Sequence, residues 1–202
     1  MTRAPLTVVG IGGSTRPGST TERVLRAVLR EAERLGAHTV CLSGPDLALP
    51  HYTPEPTGEP ARRRMVELMG SADGLVLAAP AYHGTMSGLI KNVLDHAEDL
   101  RTRPEPYFSG RPVGCLTTAR GAQGAVSALA SLRATVHALR GWPTPLGVGV
   151  DTSRTAFDAS GACTDPHVRG RLETTARHVV EFARARREHV PPAEREYAPA
   201  WA

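Results

Sequence analysis

The run Gly74–Ala79 reads GLVLAA, six residues without one polar side chain. A strand with one wet face alternates polar and apolar residues. An unbroken apolar run instead fits a strand covered on both faces. Such strands belong to parallel sheets, whose crossover helices pack on both sides. Leu6–Ile11, His38–Leu42, Arg111–Thr117 and Trp142–Val150 read as four further strands. Val24, Leu25, Val28, Leu29 and Ala32 recur at helical spacing up to Gly36. The same periodicity predicts helices over 61–70, from Ser87 or Gly88 to Leu100, after Gly124 through Arg140, and from Asp165 or Pro166 onward. Five strands alternating with five helices predict an open parallel sheet with helices on both faces. The stretches 43–60, rich in proline, and 151–164 are left as long loops, a length that is often functional.

Ligands of such sheets bind at the carboxyl ends of the strands, beside the point where strand order reverses. Three loops leave strand ends here: Gly12–Thr21, Pro80–Ser87 and Thr118–Gly124. The first lies within IGGSTRPGSTTERV, Ile11–Val24, and is built to hold a phosphate. Backbone N–H groups at the following helix start favour an anion. Ser14, Thr15, Ser19, Thr20 and Thr21 add hydroxyls, and Arg16 adds a guanidinium. Gly13–Thr20 reads G-x-x-x-x-G-S-T, with Ser19 where a triphosphate loop needs lysine. A dinucleotide fingerprint from Gly10 and Gly12 meets Thr15 at its third glycine, and no acid follows the second strand until Asp46. A hydroxyl-rich loop with one arginine suits a single terminal phosphate, as in FMN. The alternative is an ordinary glycine turn before a helix capped by Ser19.

A length of 202 residues fits one domain, here taken as 1–187, followed by a polar, proline-rich tail over 188–202 that contains Trp201. The net charge is +4, but basic and acidic residues are interspersed, which disfavours nucleic acid as a partner. Three cysteines without a C-x-x-C pair argue against a disulfide framework, and Cys41 and Cys115 read as buried small hydrophobes. His51, His83, His96, His137, His167, His178 and His189 show no metal-ligand spacing, so no metal is expected. No run of about 18 apolar residues or signal-like segment occurs. The expectation is a soluble cytoplasmic protein without a membrane partner.

GGSTRPGSTTERVL, AAPAYHGTMSGLIKNVLDH and TTARGAQG together resemble the NADPH-dependent FMN reductase family, a group with flavin, quinone, azo-dye and chromate reductases. The similarity covers about residues 6–150, and Pro-x-Tyr-x-Gly with Gly-x-x-Lys-Asn-x-x-Asp is its most specific piece. The resemblance implies a flavodoxin-like three-layer sandwich, a five-stranded parallel sheet of order 2-1-3-4-5, and homodimers or tetramers with FMN at the strand ends. It places Ser14, Arg16, Ser19, Thr20 and Thr21 at the phosphate. Pro80, Ala81, Tyr82, His83 and Gly84 run along the flavin ring, and Thr118, Ala119, Arg120 and Gly121 meet its pyrimidine end. Ala81 and His83 depart from the glutamate and asparagine common in the family, which bears on the choice of substrate.

The implied activity is hydride transfer from NADPH or NADH through flavin N5 to a free flavin, a quinone or a similar small aromatic acceptor. Supply of reduced flavin to a monooxygenase is one outlet. Such chemistry needs positioning and donors near N1, which the backbone N–H groups of Gly121 and Ala122 offer at a helix start. His83 and Arg120 are the candidate catalytic residues. Alternatives are a non-enzymatic FMN electron carrier and a flavin sensor with a protein partner. Tyr82 stacks on the flavin or lies at a subunit contact. Lys91, Asn92 and Asp95 read as structural. Arg62-Arg63-Arg64 reads as a solvated face, the alternative being a clamp for the NADPH 2′-phosphate.

Overall fold

In the computed structural model, the apolar runs assemble into one sheet. The structure describes residues 4–55 and 58–189. The expected tail falls mostly outside these residues, as does Trp201. Strand β1 spans Thr7–Gly12, β2 His38–Ser43, β3 Gly74–Tyr82 and β5 Pro112–Ala119. All four run parallel, in the order β2-β1-β3-β5. Successive residues of β3 serve opposite faces. Leu75 and Leu77 pack with Met65, Met69, Ile90 and Leu132, whereas Val76 and Ala78 pack with Val24, Leu25, Leu116 and Val179. Helices α1 (Thr20–Arg34) and α5 (Pro166–His189) cover the second face, and α2 (Pro60–Ser71), α3 (Gly88–Asp95) and α4 (Ala122–Ala138) the first. This double burial is why GLVLAA carries no polar residue.

The expected order 2-1-3-4-5 is observed, with two differences. The fifth strand is split into β6 (Trp142–Pro143) and β7 (Val148–Asp151), both paired parallel to β5. Pro143 and Pro145 bring no N–H to a ladder. The Thr144 N–H still donates to the Val113 carbonyl at 2.9 Å, so the chain leaves the sheet for only a few residues. A short strand, β4 (Thr85–Met86), turns back against the end of β3, which makes seven strands among the described residues.

The helix expected from Ser87 to Leu100 is α-helical only to Asp95 and continues as a 3₁₀ segment over His96–Leu100. Here α3 holds the proline-rich loop. Asn92 accepts the Tyr52 N–H at 3.0 Å and donates to the Leu49 and Pro50 carbonyls at 3.4 and 3.0 Å. Lys91 and Asp95 form an ion pair at 2.6 Å. The structural reading of these three residues holds. Two other expectations need correction. Arg62 is buried rather than solvated, with both ends of its guanidinium on Asp99 at 2.7 and 2.6 Å. Cys41 is half-exposed, because β2 is an edge strand, whereas Cys115 is fully buried. Among the described residues no helix is long and apolar enough to cross a membrane, and no cluster of histidine, cysteine or acids has the geometry to hold a metal ion.

Candidate functional site

The loops after β1, β3 and β5 meet at the carboxyl edge of the sheet and are cross-braced. Gly13 donates its N–H to the Ala78 carbonyl at 2.7 Å and accepts the Ser87 hydroxyl at 3.0 Å. A Cβ on Gly13 would lie 2.7 Å from Cβ of Ile90, so this approach of the first loop to α3 requires glycine. Thr21 and Thr118 share a hydroxyl hydrogen bond of 2.7 Å, which ties the start of α1 to the end of β5. The turn between β3 and β4 is held by α4: Ser127 donates to the Gly84 carbonyl at 2.6 Å, and the Thr85 and Ser131 hydroxyls meet at 2.8 Å. His83 sits in this turn at a φ of 50°, a left-handed conformation uncommon outside glycine.

In the first loop, Ser19 caps α1 and accepts the Glu22 N–H at 3.2 Å. Glu22 reaches back to the Gly18 N–H at 2.8 Å and pairs with Arg26 at 2.8 Å. Burial raises the Glu22 pKa, but these two partners outweigh it and hold the carboxyl below its ordinary value. The loop is thereby fixed in shape. Among the described residues, the N–H groups of Thr15, Thr20 and Thr21 and the guanidinium of Arg16 have no recorded acceptor. Arg16 is exposed and Ser14 half-buried at the loop mouth. Thr21 differs from its expected place: it is buried, and its hydroxyl faces Thr118 instead of a ligand. Thr118 likewise braces the site from behind.

The ring-side segment is mixed. Pro80 and Ala81 are half-buried at the end of β3, and Tyr82, His83 and Gly84 are exposed. Ala119 ends β5 half-buried, and Arg120 is exposed with no side-chain partner among the described residues. The Gly121 N–H, expected to face the ligand, is already donated to Asp151 Oδ1 at 3.0 Å. Asp151 also accepts the Ser153 hydroxyl and N–H at 2.6 and 3.0 Å, and these contacts, the hydroxyl foremost, lower its pKa. Asp151 thus sets the Gly121 φ of 104° that opens α4. Among the described residues, the N–H groups of Ala122, Gln123 and Gly124 have no recorded acceptor at that helix start. Sequence reasoning missed Glu22, Ser87, Ser127 and Asp151. Ser19 and Glu22 carry the S-x-x-E spacing of a capping box, a signal that was available. Asp151 lies far along the chain from Gly121 and gave none.

The site therefore offers an arginine and helix-start N–H groups at one loop, a hairpin turn at a second, and a second helix start at a third. That donor set fits a flavin mononucleotide: the terminal phosphate at the first loop, and the electron-poor end of a planar ring beside the third.

The comparisons agree with this class of site. The NADPH-dependent FMN reductase family matches residues 6–154, and the chain belongs to that family. An NAD(P)H-dependent FMN reductase of Pseudomonas aeruginosa is 33% identical over 167 residues, covering 80% of this chain and 86% of that protein. An NADPH azoreductase of a Bacillus species is 34% identical over 91 residues, 45% of this chain and 48% of that protein. Among solved structures, the flavoenzyme NAD(P)H:(acceptor) oxidoreductase FerB of Paracoccus denitrificans superposes with a TM-score of 0.75 at 22% identity, covering 89% of this chain and 98% of that one. This last likeness concerns the fold.

Proposed function

We propose that the chain is an FMN-dependent NAD(P)H oxidoreductase that delivers hydride equivalents to a small aromatic acceptor such as a free flavin or a quinone. The observation that carries this reading is the fixed first loop, whose Arg16 guanidinium and Thr20 N–H have no recorded acceptor among the described residues, tied through Thr21 and Thr118 to the strand end that leads into α4. When bound, FMN supplies the two-electron chemistry between nicotinamide and acceptor. The chain's own residues supply position and charge. Ser14, Arg16, Ser19 and Thr20 orient the phosphate. Pro80–Gly84 borders one side of the ring, with the exposed Tyr82 and His83 open to an incoming substrate. The start of α4, anchored by Asp151, would offer the Ala122 N–H to the pyrimidine end of a bound flavin. Arg120 adds an exposed cation to the same edge, and His83 contacts the acceptor. Residues 1–187 act as the catalytic domain, as a homodimer or tetramer in the cytoplasm, and a flavin-dependent monooxygenase is one consumer of its product.

A visible spectrum of the protein with FMN, before and after anaerobic NADPH, tests the reading. Bleaching of the bound oxidised band is expected. Bound flavin that neither nucleotide bleaches would instead indicate a carrier or sensor, and absence of binding would remove the flavin site altogether.

A further inference from the structure

Asp151 closes β7 directly opposite Ala119, at the strand end that leads into α4. Its carboxylate is fixed there by neutral donors. The Gly121 N–H, the Ser153 N–H and the Ser153 hydroxyl all meet Oδ1, at 3.0, 3.0 and 2.6 Å. The backbone holds the residue as well, because Thr152 gives its N–H and hydroxyl to the Ala119 carbonyl at 2.8 and 3.1 Å. Among the described residues, Oδ2 has no recorded partner and no cation forms an ion pair with the carboxylate. Arg120 and Arg154 are exposed, and Arg154 acts on Asp151 only from a distance. The Ser153 hydroxyl is the main cause of the lowered Asp151 pKa. Asp151 is therefore an anion at neutral pH without a close counter-ion, beside the positive end of a 17-residue helix.

We propose that Asp151 is a positioning residue whose charge lowers the reduction potential of the bound flavin. The inference rests on the oxidoreductase reading above and concerns the same site. Hydride brings two electrons and one proton from the nicotinamide, which departs as its oxidised cation. The reduced ring then carries one negative charge at its pyrimidine end until a proton from water joins it. The start of α4 favours that charge through its dipole and through N–H groups with no recorded acceptor among the described residues. Asp151 works against both. It occupies the Gly121 N–H, which leaves the ring only the N–H groups that follow, and its own charge opposes a second negative charge nearby. The oxidised ring is neutral, so the penalty falls on the reduced state and makes it the stronger reductant. The same carboxylate sets the Gly121 φ of 104° at the opening of α4, so anchoring and tuning share one side chain.

The midpoint potential of bound FMN, measured by anaerobic equilibration with a reference dye, reads this without turnover. Asp151→Asn keeps an oxygen for the Gly121 and Ser153 donors and removes only the charge. It should bind oxidised FMN within about threefold of wild type and raise the ratio of reduced to oxidised affinity about tenfold, which is about 30 mV for a two-electron couple. Asp151→Ser, also neutral, should shift the ratio in the same direction. A purely structural anchor predicts instead that Asp151→Asn keeps the wild-type potential. That result, a lowered potential in either variant, or loss of oxidised FMN binding in Asp151→Asn would overturn the proposal. Failure of the wild type to bind FMN would defeat the flavin reading and this proposal with it. Bound FMN that neither NADPH nor NADH reduces would defeat the oxidoreductase reading alone, since the dye equilibration still reports the potential.

Discussion

Cys115 lies in the middle of β5 without solvent contact, and burial pushes its thiol up to about 12 from an ordinary 9.0. The folded state therefore holds a proton that the unfolded chain releases near 9.0. Stability is complete below that pH and falls as pH rises toward 12. The loss from this group reaches about 2 kcal/mol by about pH 10.5. Urea unfolding across this range should show the decline, and Cys115→Ala should make it shallower, the remainder coming from Cys41, Cys163, Tyr52 and Tyr107, whose pKa values burial also raises. An equal slope in the variant would assign the pH dependence to other groups. Arg16 makes the opposite kind of residue-scale contribution. It is exposed and unpaired among the described residues, so the fold does not need it. Arg16→Ala is expected to leave stability within about 0.5 kcal/mol and to weaken FMN binding by about 1.5–3 kcal/mol, the scale of a charged hydrogen bond. Fluorescence titration with FMN checks this, and an unchanged affinity would take Arg16 out of the site.

At the scale of elements, the loop over Leu49–Tyr52 is held by Asn92 of α3, together with His96, whose Nε2 lies 3.1 Å from the Pro50 carbonyl. Asn92→Ala removes three hydrogen bonds to that loop and takes the partner from the part-buried Tyr52 N–H and Leu49 carbonyl, while the Pro50 carbonyl keeps His96. A loss of about 1–3 kcal/mol is expected in denaturant unfolding, with faster hydrogen exchange at the Tyr52 amide. A protected Tyr52 amide in the variant would show that the loop holds itself. Asp151→Ala tests the other tether. It should speed exchange at Gly121 and lower FMN affinity while leaving the sheet intact, and an unaltered affinity would mean that the start of α4 needs no anchor. The elements differ in how far the sequence disclosed them. The parallel sheet was legible because Gly74–Ala79 must be buried on both faces. The start of α1 was legible because Ser19 and the glycines before it mark a loop and a cap. Arg16 and the loop mouth followed from that. The split of the fifth strand was less so, since the prolines signalled a break but not that Thr144 keeps a bond to Val113 across it. The inward turn of Thr21 and the capture of the Gly121 N–H were not legible at all. Each depends on a partner many residues away, Thr118 and Asp151, which no local period reveals.

The whole molecule separates its tasks between the two ends of the sheet. The carboxyl ends carry the braced loops. At the amino ends, Asp73 accepts the Thr7 N–H at 2.8 Å and pairs with Arg187 of α5, which closes the fold away from the site. Ligand binding and stability are therefore separable by mutation. A ligand that binds only the folded chain adds about 2.7 kcal/mol at a hundred times its Kd. For a domain of this size that corresponds to a rise in Tm of about 5–10 °C with FMN. Asp73→Ala should lower the Tm of the free protein, through loss of charged hydrogen bonds worth about 1.5–3 kcal/mol, and keep the FMN-dependent rise. Arg16→Ala should do the reverse, with an ordinary Tm when free and a much smaller rise at the same FMN concentration. Differential scanning fluorimetry of the three proteins decides the matter. A wild-type Tm unmoved by FMN would eliminate the flavin site, and a full rise retained in Arg16→Ala would place the phosphate away from the first loop. Loss of the rise in Asp73→Ala would show that the two ends are coupled through the sheet, and the division of tasks would fail.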